Sequence, residues 1–121
     1  MSKLLIVDDE MDIREFARNF FVKRGIEVYT SSGGYDTLDI LEREKPDLIL
    51  LDIRMEEMTG VELLRRIKEK DPEVKVIMVS GVTDEDIMTG AKKLGAIGYV
   101  HKPLVLDELE KIVLKELRAG S

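Results

Sequence analysis

Two hydrophobic periods alternate along the chain. Short apolar runs lie at Leu4–Val7, Ile26–Tyr29, Leu48–Leu51, Val74–Val79 and Ile97–Val100. They are mostly β-branched or leucine, which predicts strands buried on both faces. Between them, apolar residues recur at helical spacing. Ile13, Phe16, Ala17, Phe20 and Phe21 follow i, i+3, i+4, i+7, i+8 and predict the first helix. Leu38 and Leu41 mark a second, Val61, Leu64 and Ile67 a third, and Ile87, Met88, Ala91 and Leu94 a fourth. Leu109, Ile112, Val113 and Leu117 mark a fifth. The punctuation agrees. Gly25 and Gly95 end the first and fourth helices, and Asp71-Pro72 breaks the third. Thr83 is placed to cap the fourth, with Asp84, Glu85 and Asp86 in its first turn favoured by the helix dipole.

Strands alternating with helices predict an α/β fold with a parallel sheet. Five units are too few for a closed eight-stranded barrel. The expectation is a doubly wound (βα)5 open sheet in the flavodoxin-like order 2-1-3-4-5. Ligands of such sheets bind beyond the carboxyl ends of the strands, where the winding reverses, here between strands 1 and 3. The 121 residues suffice for one domain, expected over residues 1–118, with 119–121 a tail or cloning remainder. The lack of cysteine excludes a disulfide scaffold and thiolate sites, and a single histidine leaves oxygen ligands for any metal. With 25 acids against 19 bases, the net charge of −6 argues against direct binding to nucleic acid or anionic membranes. No apolar run is long enough to span a bilayer, and the N-terminus lacks the shape of a signal peptide, so the expected compartment is the cytoplasm.

Candidate chemistry gathers at the predicted carboxyl edge. Strand 1 runs into Asp8-Asp9-Glu10 and strand 3 into Asp52. Asp8, Asp9 and Asp52 are therefore expected in one pocket, where like charges raise one another's pKa unless a cation intervenes. Clustered hard oxygen ligands suit Mg²⁺ or Mn²⁺. Acids at strand ends also serve as plain helix caps, which is the simpler account of any one of them. Strand 4 ends in Ser80-Gly81 and strand 5 in His101-Lys102-Pro103. A hydroxyl and an ammonium beside three acids make a clamp for a phosphoryl group. Taken singly, Ser80 reads as a turn residue and Lys102 as a surface lysine.

These residues together resemble the receiver domains of two-component response regulators, over essentially the whole chain. The resemblance rests on Asp8-Asp9, the segment Leu50-Leu51-Asp52-Ile53-Arg54-Met55, Gly60, Ser80-Gly81 and Lys102-Pro103, in this order and at these spacings. It implies that Asp52 accepts a phosphoryl group from a phosphohistidine on a sensor histidine kinase or phosphotransfer protein, or from a small acyl phosphate. It further implies a metal held by Asp8, Asp9, Asp52 and the backbone carbonyl of Arg54, with Lys102 and Ser80 on the phosphoryl oxygens. Slow autodephosphorylation and a Ser80–Tyr99 switch reshaping the face of helix 4, strand 5 and helix 5 are implied too. The resemblance also implies that this face can pair with a second copy and that the first helix serves as a partner surface. The Lys102-Pro103 bond is expected to be cis.

Two departures stand out. Glu56 occupies the place where the family usually has proline: it loosens the loop or adds negative potential near the metal, or it is simply a solvated surface acid. Arg54 puts a cation two residues past Asp52, where it is expected to slow loss of the phosphoryl group. Three rivals are weaker. A haloacid-dehalogenase-type phosphohydrolase needs an acid at the position of Arg54. A flavodoxin-like mononucleotide binder needs a phosphate loop where Asp8-Asp9-Glu10 stands. A receiver-like module that no longer takes phosphate has no reason to carry the full set of acids. His101 has no partner with which to fix a metal or a base. Met55 and Met58 are expected to pack under the loop that follows Asp52.

Overall fold

The computed structural model describes residues 2–53, 58–81 and 85–119. Five strands alternate with five helices: β1 (Lys3–Val7), α1 (Met11–Val22), β2 (Glu27–Ser31), α2 (Gly34–Glu44), β3 (Leu48–Asp52), α3 (Gly60–Lys70), β4 (Lys75–Ser80), α4 (Glu85–Lys93), β5 (Gly98–His101) and α5 (Leu106–Ala119). The sheet order is β2-β1-β3-β4-β5, with every pairing parallel. The expected doubly wound sheet and its winding reversal between β1 and β3 are therefore present.

The period of two along each strand divides the core into two layers. Leu5, Val7, Ile49, Leu51, Val76 and Met78 face α2, α3 and α4, where Ile40, Leu41, Leu63, Leu64, Ile67 and Ala91 meet them. Leu4, Ile6, Leu48, Leu50, Ile77 and Val79 face α1 and α5, where Ala17, Phe21, Leu109, Val113 and Leu117 close the second layer. At roughly 25 cal/mol per Å² of apolar surface removed from water, each fully buried leucine contributes about 2 kcal/mol before entropy is charged against it. Gly25 and Gly95 turn the chain after α1 and α4 with φ of 80° and 106°, a region that glycine enters without steric cost.

Some local expectations shift. β2 runs on through Thr30 to Ser31, where the polar end is satisfied internally: the Thr37 hydroxyl donates to Ser31 Oγ at 2.9 Å. Phe16, read as part of the α1 stripe, is 66% exposed, and Ile112 and Ile97 are exposed as well. Ile97 lies before β5, which begins at Gly98. Leu63 and Ile40, outside the predicted stripes, are buried because α3 packs between α2 and α4 and meets neighbours on two sides. α3 is capped by Thr59, whose side chain accepts from the Glu62 amide at 3.2 Å. α5 continues through Ala119. The Thr83 cap, with Asp84 beside it, falls outside the described residues, as do Gly120 and Ser121.

Candidate functional site

Strand register assembles the site. Val7 pairs with Leu51, so Asp8 follows β1 level with Asp52 at the end of β3. Asp52 pairs with Val79, and Ser80 with His101, so Ser80 and Lys102 come to the same edge one step further along. Asp8 and Asp52 are each only 3% exposed, and Ser80 is 2% exposed. Two buried carboxylates side by side need a counter-charge, and Lys102 supplies it. Its ammonium lies 3.2 Å from Asp52 Oδ2, 3.3 Å from Asp8 Oδ2 and 3.8 Å from Glu10 Oε1. Burial disfavours the Lys102 ammonium and is the largest single influence on it. The charges of Asp8 and Asp52, with hydrogen bonds to both, together overcome it and hold the pKa above the usual lysine value.

The backbone fixes these groups. The Lys102 amide donates to the Ser80 carbonyl at 2.8 Å. The Glu10 amide donates to Asp8 Oδ1 at 2.9 Å, and the Arg14 guanidinium to the Asp8 carbonyl at 2.6 Å. Gly60 lies against the chain at the end of β3. A Cβ there would lie 2.3 Å from the Asp52 carbonyl oxygen and 2.6 Å from Ile53 Cα, so only glycine lets α3 begin so close to the end of β3. Gly81 is under no such constraint, since its Cβ would meet Lys102 Cβ at an ordinary 3.9 Å. The Lys102-Pro103 bond is cis.

The close carboxylate cluster is not the expected trio of Asp8, Asp9 and Asp52: Glu10 stands in it and Asp52 does not. Among the described residues, carboxylate oxygens of Asp8, Asp9 and Glu10 lie within 4.8 Å of one another, while Lys102 joins Asp8 to Asp52. Sequence reasoning did not single out Glu10. Its position next to the acid pair, at the start of a helix, was the available signal. This donor set is all carboxylate, which fits a hard divalent cation. Arg54, with Met55 and Glu56, lies outside the described residues. Met58 packs on Gly34 at the start of α2 and against the α2–α3–α4 layer.

Tyr99 is the partner of Met78 in the ladder and packs on the α2–α3–α4 layer, whereas Val100 packs on the other. Its ring meets His101 edge to face at 5.4 Å, with Lys92 Nζ 5.5 Å from the centroid. Beside Lys102 an apolar groove opens, lined by Ile13, Phe16 and Ala17 of α1 and by Pro103 and Leu104. No helix among the described residues is long and apolar enough to cross a membrane.

An open parallel sheet with buried acids and a lysine at its winding reversal defines the class: an α/β protein with carboxylates gathered at the strand ends. Comparison with known proteins makes this specific. A family model for the response regulator receiver domain matches residues 4–114. The chain is 37% identical over 116 residues to Sporulation initiation phosphotransferase F of Bacillus subtilis (strain 168), covering 96% of this chain and 94% of that protein. It is 33% identical over 121 residues to Regulatory protein AtoC of Escherichia coli (strain K12), of which it spans only 26%. A solved receiver domain protein (CheY-like) from Methanospirillum hungatei JF-1 superposes with a TM-score of 0.95 at 28% identity, covering 99% of this chain and 96% of that one. The chain belongs to the response regulator receiver family of two-component signalling.

Proposed function

We propose that this domain, over residues 1–118, is a phosphoacceptor switch, with Asp52 taking a phosphoryl group from a partner phosphohistidine. The observation that carries the reading is the Lys102 ammonium, held between buried Asp52 and Asp8 at the sheet's winding reversal. A carboxylate oxygen of Asp52 attacks phosphorus. The new P–O bond forms as the P–N bond breaks, and the imidazole leaves with the electron pair. Asp8, Asp9 and Asp52, with the Arg54 carbonyl, would hold Mg²⁺ or Mn²⁺. When bound, such a cation neutralises charge on the phosphoryl oxygens. Lys102 neutralises another oxygen, and Ser80 donates a hydrogen bond to the product.

Sensor kinases and histidine phosphotransfer proteins are the partners of this family, and the groove beside α1 supports docking of a partner helix next to Lys102. Output follows from the added charge of roughly −2: Ser80 moves to the phosphoryl group, Tyr99 shifts, and the α4–β5–α5 face changes shape and can pair with a second copy. The same reading puts the reaction in the cytoplasm and leaves nucleic acid to any separate effector domain. The test is incubation with acetyl phosphate and Mg²⁺, followed by intact mass. The wild type is expected to gain one phosphoryl group and Asp52→Ala none. An unmodified wild type overturns the proposal.

A further inference from the structure

We propose that Glu10 is a positioning residue for Lys102: its carboxylate draws the ammonium off Asp52 and so uncovers the oxygen that attacks phosphorus. This rests on the phosphoacceptor reading of Asp52.

Lys102 is well placed to hold the resting site together and badly placed for the first step of the reaction. Its ammonium donates to Asp52 Oδ2 at 3.2 Å. A hydrogen bond from a cation stabilises the carboxylate and ties up a lone pair, and the buried setting strengthens the contact. Attack on phosphorus needs that electron density, and the same ammonium is wanted on the phosphoryl oxygens. It therefore has to move a short way without leaving the site.

Glu10 supplies the place to move to. Its Oε1 is 3.8 Å from Lys102 Nζ, so a shift of about 1 Å completes a charge-assisted hydrogen bond. Glu10 is the N-cap residue of α1, yet its side chain makes no capping hydrogen bond. Its backbone is pinned instead, through its amide to Asp8 Oδ1 at 2.9 Å. The carboxylate itself is 62% exposed and lies on the solvent-facing rim, in contrast to the buried Asp8 and Asp52. The three acids thus divide the work. Asp8 and Asp52 hold the ammonium in the interior, and Glu10 offers it a third position towards solvent. The flexible four-carbon stem of lysine can reach all three.

The main competing account has the opposite sign. If Glu10 were only a negative charge at the mouth, it would repel an anionic phosphoryl donor, and removing it would speed the reaction. The experiment measures phosphorylation rates by quench and intact mass over a range of acetyl phosphate concentrations, at fixed Mg²⁺ and ionic strength. The proteins are wild type, Glu10→Gln, Glu10→Asp and Asp52→Asn. The positioning role predicts that Glu10→Gln lowers the rate at saturating donor by about two- to fivefold, the scale of a half-exposed ion pair, with the half-saturating concentration unchanged. Glu10→Asp keeps the charge but is one methylene too short, and it is expected to behave like Glu10→Gln. The ¹⁵Nζ resonance of Lys102 in the Mg²⁺-loaded, unphosphorylated protein is expected to move in both variants. A faster Glu10→Gln, a wild-type Glu10→Asp, or an unmoved Lys102 resonance overturns the proposal while leaving the phosphoacceptor reading intact. A wild type that takes no phosphoryl group, or an Asp52→Asn that takes as much, overturns both.

Discussion

Gly60 and Lys102 show how single residues hold the site, one by what it lacks and the other by what it carries. Gly60 has no side chain, and the carbonyl of Asp52 fills the space. Gly60→Ala must push backbone against backbone, so it is expected to destabilise the domain by about 2 kcal/mol or more, in the upper range of overpacking. A urea midpoint unchanged from wild type would refute this. Lys102 compensates two carboxylates that water barely reaches. Lys102→Met leaves them facing each other. Breaking a buried pair costs about 3–5 kcal/mol. Lys102 keeps some solvent contact, so a loss of about 1–3 kcal/mol is expected in EDTA. Added Mg²⁺ should recover most of it, since a cation can take over the neutralisation, and a loss that is equal with and without Mg²⁺ would count against this. The pH dependence has a definite sign. Because the folded pKa of Lys102 is raised, its contribution is complete below the ordinary lysine value and is lost as pH climbs through the raised one. The alkaline fall in stability should therefore be shallower in Lys102→Met.

At the scale of elements, α1 departs most from its pattern. Its periodicity nominates five residues for one buried stripe, but the helix lies on the sheet through Ala17 and Phe21, leaving Phe16 exposed on the groove beside Lys102. A core residue replaced by alanine costs several kcal/mol, whereas an exposed one costs within about 0.5 kcal/mol. Phe16→Ala is accordingly expected to leave the melting temperature nearly unchanged. If the groove receives a partner helix, the variant should slow phosphoryl transfer from a phosphohistidine protein several-fold while leaving the reaction with acetyl phosphate as it was. Equal effects on both donors would remove the docking role. β5 divides its work in the same way. Its alternation sends Tyr99 to the α2–α3–α4 layer and Val100 to the α1–α5 layer. The aromatic proposed to switch is therefore on the side where α4 can respond.

For the whole molecule, acids that repel one another at the carboxyl edge are the natural target of a divalent cation, and binding only to the folded state must stabilise it. At a hundredfold excess over Kd, Mg²⁺ should add about 2.7 kcal/mol to the unfolding free energy. Asp9→Asn is expected to cut that gain sharply with little effect on stability in EDTA, because Asp9 is exposed and Asp8 and Asp52 remain compensated by Lys102. A melting temperature indifferent to Mg²⁺ would remove the cation from the account. The length relations also act at this scale. The chain spans 94% of one relative and only 26% of another.

The sequence by itself determined the element order, the parallel sheet and the residues of the carboxyl edge. These follow from local periods and from residue types that have few other uses together, such as the paired acids before α1 and the Lys102-Pro103 step after β5. The exposure of Phe16, the burial of Leu63, the close approach at Gly60 and the reach of Glu10 to Lys102 were decided only by the tertiary structure. Each depends on which neighbour packs where, and on distances between segments far apart in the chain. A period along one helix shows that a face is apolar. It does not show how much of that face a sheet will cover, or which of three acids a single lysine will hold.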